Sequence, residues 1–412
     1  MQKHKHLNRW LWKWHIIAGL ITLPLMILLA VTGIIYLFKG DYEDSVYSHL
    51  KQVEIGAETL PYADQLKAAQ ASAKQPITSV ILPAEPTQAT EFVSGMRRGK
   101  STIYVNPYTG EALGAVKAAD TLMMTVRKLH GELLLGKGGT YTVELAASWF
   151  VVLILTGIYV WWPSTGFSLA GFFTVRTSKG KRIFYRDLHS VLAFWLSVFM
   201  LVLLSGAMPW TDIFGSQLKW VQAQTDTGYP KTWQRPVGLK SVVHGQPMTL
   251  DAAVDVVKAR ELKGRITIKL PKGPEGVISV SNRSLLLRHQ EVLHFDQYSG
   301  DLIRRHTWDD VGILMDMRQV AMRLHQGEYG LISWYAVLLT ALVFALSTLA
   351  GLVSYIKRKP VGDWGLPKVP DHWRVGYGIV ALLVILAVVF PLFGASLILI
   401  TVFEKLKSLK ST

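Results

Sequence analysis

The segments RKLHGELLLG (Arg127–Gly136) and MRLHQGEYG (Met322–Gly330) each put a Leu-His pair just ahead of a long apolar stretch. Imidazole carries protons near neutral pH and is a common metal ligand. The chain has no cysteine, which excludes disulfides, thiolate-ligated clusters and covalently attached c-type haem. If the protein handles a metal cofactor, the 12 histidines are the first candidates for its ligands. A second set of histidines opens other apolar stretches. HIIAGLITLPLMILLAVTGIIYLF starts at His15 and reaches Thr32-Gly33, HSVLAFWLSVFMLVLLSGAMPW starts at His189 and reaches Ser205-Gly206, and HWRVGYG gives a weaker echo from His372. No HExxH, clustered carboxylates or EF-hand loop offers a competing metal site.

The elements that must position these side chains are membrane spans. Half of the 412 residues are hydrophobic, and the mean hydropathy is +0.27. Five apolar runs approach or exceed the length that crosses a bilayer, about 20 residues: Ile16–Phe38, Leu145–Trp162, Val191–Met208, Leu331–Ile356 and Tyr377–Phe403. The first has too long an apolar core for a signal peptide and is expected to be an uncleaved anchor. Basic residues are densest in the N-terminal tail, in VRTSKGKRIFYR and from KRKP to Arg374. The positive-inside rule then puts the N-terminus in the cytoplasm and the long segments 39–144 and 209–330 outside. Lys405, Lys407 and Lys410 fit that rule poorly, so Pro391 and Gly394 could bend the last span, or it could stop short of crossing fully. The net charge of +15 is explained by loops facing anionic lipid, with no nucleic-acid motif.

The outside segments also repeat. IYVNPYTGEALG (Ile103–Gly114) parallels LHFDQYSGDLIR (Leu293–Arg304), each a strand, a turn and a strand. A helical pattern precedes each hairpin, PYADQLKAAQASA in one and LDAAVDVVKAREL in the other, and an amphipathic helix ending in the Leu-His segment follows each. The expected fold is an α-helical integral membrane protein of about five spans, with two small α+β modules and an internal repeat. The expected order is a tail with span 1 (1–38), a module with its interfacial helix (39–130), span 2 (131–163), a loop (164–188), span 3 (189–211), a second module with its helix (212–325), span 4 (326–358), a loop (359–374) and span 5 with the tail (375–412).

The basic His-span, the VNPYTGE-type hairpins, LHGELLLGKGG and TGIYVWWP together resemble the PepSY-associated transmembrane family, over nearly the whole chain. The resemblance makes the outside modules PepSY-like and periplasmic, and the membrane the bacterial inner one. The family includes haem-containing reductases of ferric siderophores, the FoxB type. It therefore implies haem b and a ferric-chelate reductase role. Some relatives carry fused flavoprotein modules, for which this chain has no room. The electron donor, a quinol or a flavoprotein, would be separate.

Haem b takes one or two imidazoles from opposite faces of its ring. His130 and His325 share the outer side, and His15, His189 and His372 the inner side, so two haems could form an electron path across a core about 30 Å thick. His372 could be a third inner ligand, a spare or a loop residue. Arg127, Arg323 and Arg186 are candidate partners for haem propionates, with Lys128, Arg318, Arg9 and Arg182 nearby. Gly19, Ala193 and Gly376, four residues after the inner histidines, could leave room for a flat macrocycle or simply let helices pack closely. Glu132 and Glu328 could orient ligands, meet substrate or be solvated. Trp10, Trp12, Trp14, Trp161 and Trp162 read as an interfacial belt, and Trp210 could line a substrate pocket. His4, His6, His49, His244, His289, His294 and His306 read as surface or loop residues. No catalytic residue is assigned. The first functional expectation is electron transfer to a ferric chelate outside. A permease is disfavoured by the near absence of mid-span charge. The alternative is a non-redox membrane protein that binds or regulates a periplasmic partner such as a peptidase.

Overall fold

A computed structural model describes residues 2–96, 99–162, 169–370 and 373–410. The helices are α1 (Gln2–Leu37), α2 (Lys39–Val46), α3 (Ser48–Lys51), α4 (Tyr62–Ser72), α5 (Leu122–Glu132), α6 (Lys137–Trp161), α7 (Leu169–Phe172), α8 (Lys181–Ala207), α9 (Ile213–Gln224), α10 (Leu250–Lys258), α11 (Ile313–Gln326), α12 (Leu331–Arg358), α13 (Tyr377–Val389) and α14 (Pro391–Lys410). The strands are β1 (Ile77–Ile81), β2 (Thr90–Ser94), β3 (Ser101–Val105), β4 (Ala112–Lys117), β5 (Arg265–Lys269), β6 (Val277–Arg283), β7 (Val292–Asp296) and β8 (Leu302–His306). The chain forms two compact units. A helical unit takes Met1–Leu37, Arg127–Trp220 and Ala321–Thr412, and a sheet unit takes Phe38–Val126 and Val221–Val320.

Among the described residues, four helices are long and apolar enough to cross a membrane: α1, α6, α8 and α12. Their polarity is inverted relative to a water-soluble bundle. On α12, Ile332, Leu339 and Leu346 recur every seven residues and are exposed, while Thr340, Ser347 and Ala350 are buried. Lipid tails are as apolar as leucine, so the helices gain by packing small residues against one another and leaving large apolar ones to lipid. The fifth apolar stretch is not one helix. α13 ends at Val389, and Pro391 opens α14. Proline has no N–H to donate and its ring disfavours helical backbone in the residue before it. Phe390 accordingly leaves helical geometry, with φ −120° and ψ 84°. The 13 residues of α13 rise only about 20 Å, short of the bilayer core.

The sheet unit joins the two expected modules into one antiparallel sheet, ordered β4-β3-β2-β1-β5-β6-β7-β8. β1 and β5 make the seam, with Ser79 opposite Lys269, Val80 opposite Ile268 and Ile81 opposite Thr267. Alternation sends Val80, Phe92, Ile103, Val105, Ile268, Val280, Leu293 and Phe295 into a shared core. α10 adds Leu250, Ala253, Val254 and Val257, one helix face by spacing. The Asp251 carboxylate accepts from the Tyr62 and Ala63 backbone N–H at 2.6 and 3.1 Å, which caps α4 from α10.

The two hairpin turns share their chemistry bond for bond. Asn106 Oδ1 accepts from the N–H of Tyr108 and Thr109, as Asp296 Oδ1 does from Tyr298 and Ser299. Gly110 and Gly300 sit at φ +73° and +76°, the left-handed backbone that glycine adopts without steric cost. Each turn tyrosine donates its hydroxyl to a proline carbonyl at 2.9 Å, Tyr108 to Pro86 and Tyr298 to Pro274.

Candidate functional site

The LHGELLLGKGG segment builds a tight return from α5 into α6. Leu133 and Leu134 adopt positive φ of 50° and 60°, and Gly136 follows at 59°. Gly139 then packs so closely on the turn that a Cβ would stand 1.6 Å from the Glu132 carbonyl oxygen. This return places His130 against α1. Its Nδ1 is 3.0 Å from Thr32 Oγ1. The Thr32 hydroxyl donates to the Leu28 carbonyl at 2.7 Å, so its oxygen accepts and the His130 Nδ1–H donates.

The same contact recurs with the helices exchanged. His15 of α1 sets Nδ1 3.0 Å from Thr156 Oγ1 of α6, and Thr156 donates to the Val152 carbonyl at 2.8 Å. α1 and α6 thus run antiparallel, each seating a histidine delivered by the other segment. α8 and α12 form the second such pair. His189 Nδ1 donates to the Ser347 carbonyl at 2.9 Å, and His325 Nδ1 to the Leu203 carbonyl at 2.9 Å. A carbonyl can only accept, so the tautomer follows from the partner. In all four rings the proton sits on Nδ1, and Nε2 keeps a free lone pair with no hydrogen bond among the described residues.

A glycine on the neighbouring helix makes room for each imidazole. A Cβ at Gly33 would meet His130 Cε1 at 3.4 Å, at Gly157 His15 Cε1 at 3.1 Å, and at Gly351 His189 Nδ1 at 2.9 Å. At Gly206 it would come within 2.7 Å of His325 Cβ and 2.3 Å of the Ala321 carbonyl oxygen. The sequence showed Thr32-Gly33, Ser205-Gly206, LTGIYVWWP and LAGLVSYIKRKP as repeats. It did not show that their Thr and Gly residues, with the Leu203 and Ser347 carbonyls, seat the histidines, because that depends on which helices pair.

The four rings meet two by two. The ring centroids of His15 and His189 are 6.4 Å apart with planes at 60°, and those of His130 and His325 are 6.2 Å apart at 62°. A metal–imidazole bond is about 2 Å long and the ring centroid lies about 1 Å beyond the nitrogen, so two imidazoles on one metal place their centroids about 6 Å apart. The observed spacings fit two imidazoles sharing one metal at each pair. Among the described residues no group of three or more His, Cys, Asp or Glu could enclose a bare metal ion. A pair of imidazoles suits a metal whose other ligands come with it, as in a porphyrin. Thr32 lies seventeen residues beyond His15 on α1, so the two pairs stand about 25 Å apart along the bundle.

The other expected site residues are placed as follows. Arg127 is exposed, one turn before His130 on α5. Arg323 is buried, two residues before His325, with Nε 4.0 Å from Glu328 Oε2. Arg186 donates to Asp187 at 2.8 Å, and Arg176 grips the same buried carboxylate at 2.6 Å. His372 lies outside the described residues. A Cβ at Gly19 would make only an ordinary 3.9 Å contact with Leu153, and one at Gly376 would meet nothing within 4 Å. His294, expected at the surface, is buried in β7, and both its nitrogens are bonded, to Ser279 Oγ and the Thr232 carbonyl, each at 2.9 Å. Its role is structural. Glu144 was not singled out in the sequence. It is buried in α6 and accepts the N–H of Ile213 and Phe214 at 2.9 and 2.8 Å, anchoring the first turn of α9.

Comparison with curated proteins finds no match. The sequence profile of the PepSY-associated TM region matches residues 12–358, which include His15, His130, His189 and His325 with all their seats. Four apolar helices, the antiparallel sheet and a match over most of its length make this chain a membrane protein that belongs to the PepSY-associated transmembrane family.

Proposed function

We propose that the protein is a haem b oxidoreductase of the bacterial inner membrane that carries electrons outward to reduce a ferric chelate, such as a ferric siderophore. The observation that carries this reading is the double pairing of imidazoles, His15 with His189 and His130 with His325, each with Nδ1 tied down. Bound haem b would supply a one-electron Fe(III)/Fe(II) couple at each pair.

The residues' share of the work is binding and orientation. Thr156, Thr32, Ser347 and Leu203 fix the ring tautomers and so present Nε2 as the ligand atom. The antiparallel exchange of seats holds the pairs near opposite ends of the bundle, which makes a route for electrons through a medium that excludes ions. The basic loops argue that the His15–His189 end is cytoplasmic, facing a quinol or flavoprotein donor. The sheet unit would then be periplasmic and meet the ferric chelate. Each ferric ion takes one electron. A two-electron donor therefore serves two ferric ions and releases its protons on its own side. The resulting Fe(II) binds hard oxygen ligands less tightly, which frees it from the chelator. The matched hydrogen bonding of the two hairpins supports descent of the two halves from one repeat.

The test is vectorial. Full-length protein loaded with haem is placed in vesicles with a reduced quinol or flavin inside and a ferric chelate plus a ferrous-specific dye outside. Dye colour that depends on the protein and on His130 supports the reading. A loaded protein that gives no colour with any donor on either side rejects it.

A further inference from the structure

Trp161 closes α6 and Arg358 closes α12, and each buries a nitrogen that has no acceptor, Trp161 Nε1 and Arg358 Nη2. Both nitrogens can only donate, and leaving a buried donor unmet is costly. The remaining contacts of Arg358 supply no anion. Nη1 donates to the Gly365 carbonyl at 2.9 Å, and the guanidinium lies over the Trp12 ring at 4.8 Å and the Tyr355 ring at 5.8 Å. A second cation, Arg182 of α8, is near enough to repel it. Among the described residues no carboxylate pairs with either arginine. Two unmet buried donors, one of them on a guanidinium that a second cation repels, call for an anionic acceptor.

Helical register says where that acceptor sits. Trp161 is four residues past Gly157, Arg358 seven past Gly351, Arg182 seven before His189 and Trp12 three before His15. Each lies close to the helix face that builds the His15–His189 pair, one to two turns nearer the end of the bundle, roughly 5–10 Å along the axis. α1 and α8 bring imidazoles to two opposite sides, so α6 and α12 flank the edges of whatever lies between. We propose that Arg358, Arg182 and the Trp161 indole form a carboxylate site for the propionates of the haem held by His15 and His189. This rests on the haem reading above. Arg186 is occupied by Asp187 and is not part of the site.

The test compares haem b with its dimethyl ester, in which both propionates are neutral. Full-length protein is depleted of haem and reloaded with either porphyrin in detergent with zwitterionic lipid. Arg358→Gln is expected to weaken retention of one of the two haems about 10- to 100-fold, the range for a charged hydrogen bond. It should leave retention of the ester unchanged. Trp161→Phe should act in the same direction with a smaller loss, and Arg358→Lys should restore part of the affinity. Equal weakening of acid and ester, or of neither, overturns the proposal. So does an Arg358→Gln effect that appears only when acidic phospholipid is present, which would assign the site to a lipid phosphate. If Arg358→Gln does not fold, Trp161→Phe decides by the same comparison. Wild-type protein that retains neither porphyrin rejects the haem reading itself, a result distinct from retention of both without discrimination by Arg358.

Discussion

Nδ1 of His130 lies 3.0 Å from Oγ1 of Thr32, and the Thr32 hydroxyl already donates its hydrogen bond to the Leu28 carbonyl. The contact therefore decides which imidazole nitrogen is free. Thr32→Val keeps the shape and removes the acceptor. Partners that orient a ligating histidine are typically worth about 10- to 100-fold in metal affinity. Thr32→Val is expected to lower retention of one haem by about that factor and leave the other in place, measured by haem per chain after dialysis. Thr156→Val should do the same at His15.

Gly351 faces His189 so closely that a Cβ would stand 2.9 Å from Nδ1. Gly351→Ala must push the ring off the Ser347 carbonyl. The expected results are loss of one haem equivalent and a destabilisation of about 1–3 kcal/mol, the usual cost of overpacking. Gly19→Ala, whose Cβ would make only a 3.9 Å contact with Leu153, is the control and should change neither haem content nor melting.

In the sheet unit, Phe295 is 1% exposed in the core shared by both halves. Phe295→Ala should cost about 3–5 kcal/mol through lost burial and the cavity left behind. Because β1 and β5 join the halves, faster amide exchange should extend beyond β7 to β2 and β3. Exchange confined to β6–β8 would mean that the halves unfold separately.

The sheet unit should also weaken in acid, in two stages. Burial pushes the His294 imidazole below its ordinary value, so it is neutral in the fold. As pH falls below about 6.5, the unfolded chain takes up this proton first and stability drops until the folded pKa is reached. Asp296 acts lower. Burial opposes its ionisation, but the N–H groups of Tyr298, Val242 and Ser299 outweigh it and hold the carboxyl below the usual range. Its contribution is present above about pH 4 and is lost as pH falls through the folded value. Unfolding followed against pH by tryptophan fluorescence should show both losses, and His294→Gln should remove the first.

The four central histidines were legible because each carries a local signal, a histidine at the mouth of an apolar run, that recurs in both halves. Thr32, Thr156, Gly157 and Gly351 were visible as repeated Thr-Gly and Ala-Gly pairs, but their purpose was not. A seat is defined by the helix that packs on it, and antiparallel pairing of α1 with α6 is information held over more than a hundred residues. The same reason hid the β1–β5 seam, since each hairpin shows its own turn chemistry and nothing in either announces a partner strand. The bend in the last span was legible at Pro391, although hydropathy is continuous across Phe390–Pro391, because backbone sterics break the helix there. His294 misled because a histidine in a strand reads as polar surface until Ser279 and Thr232 are seen to satisfy it.

Haem stoichiometry in single-histidine variants tests the central claim most directly. Full-length protein made with ample porphyrin should carry two haems per chain by pyridine haemochrome absorbance, and His130→Ala or His325→Ala should each carry one. His15→Ala and His189→Ala should likewise each lose one, and it should be the other one. A colourless wild-type protein, or variants that keep both haems, would contradict the account.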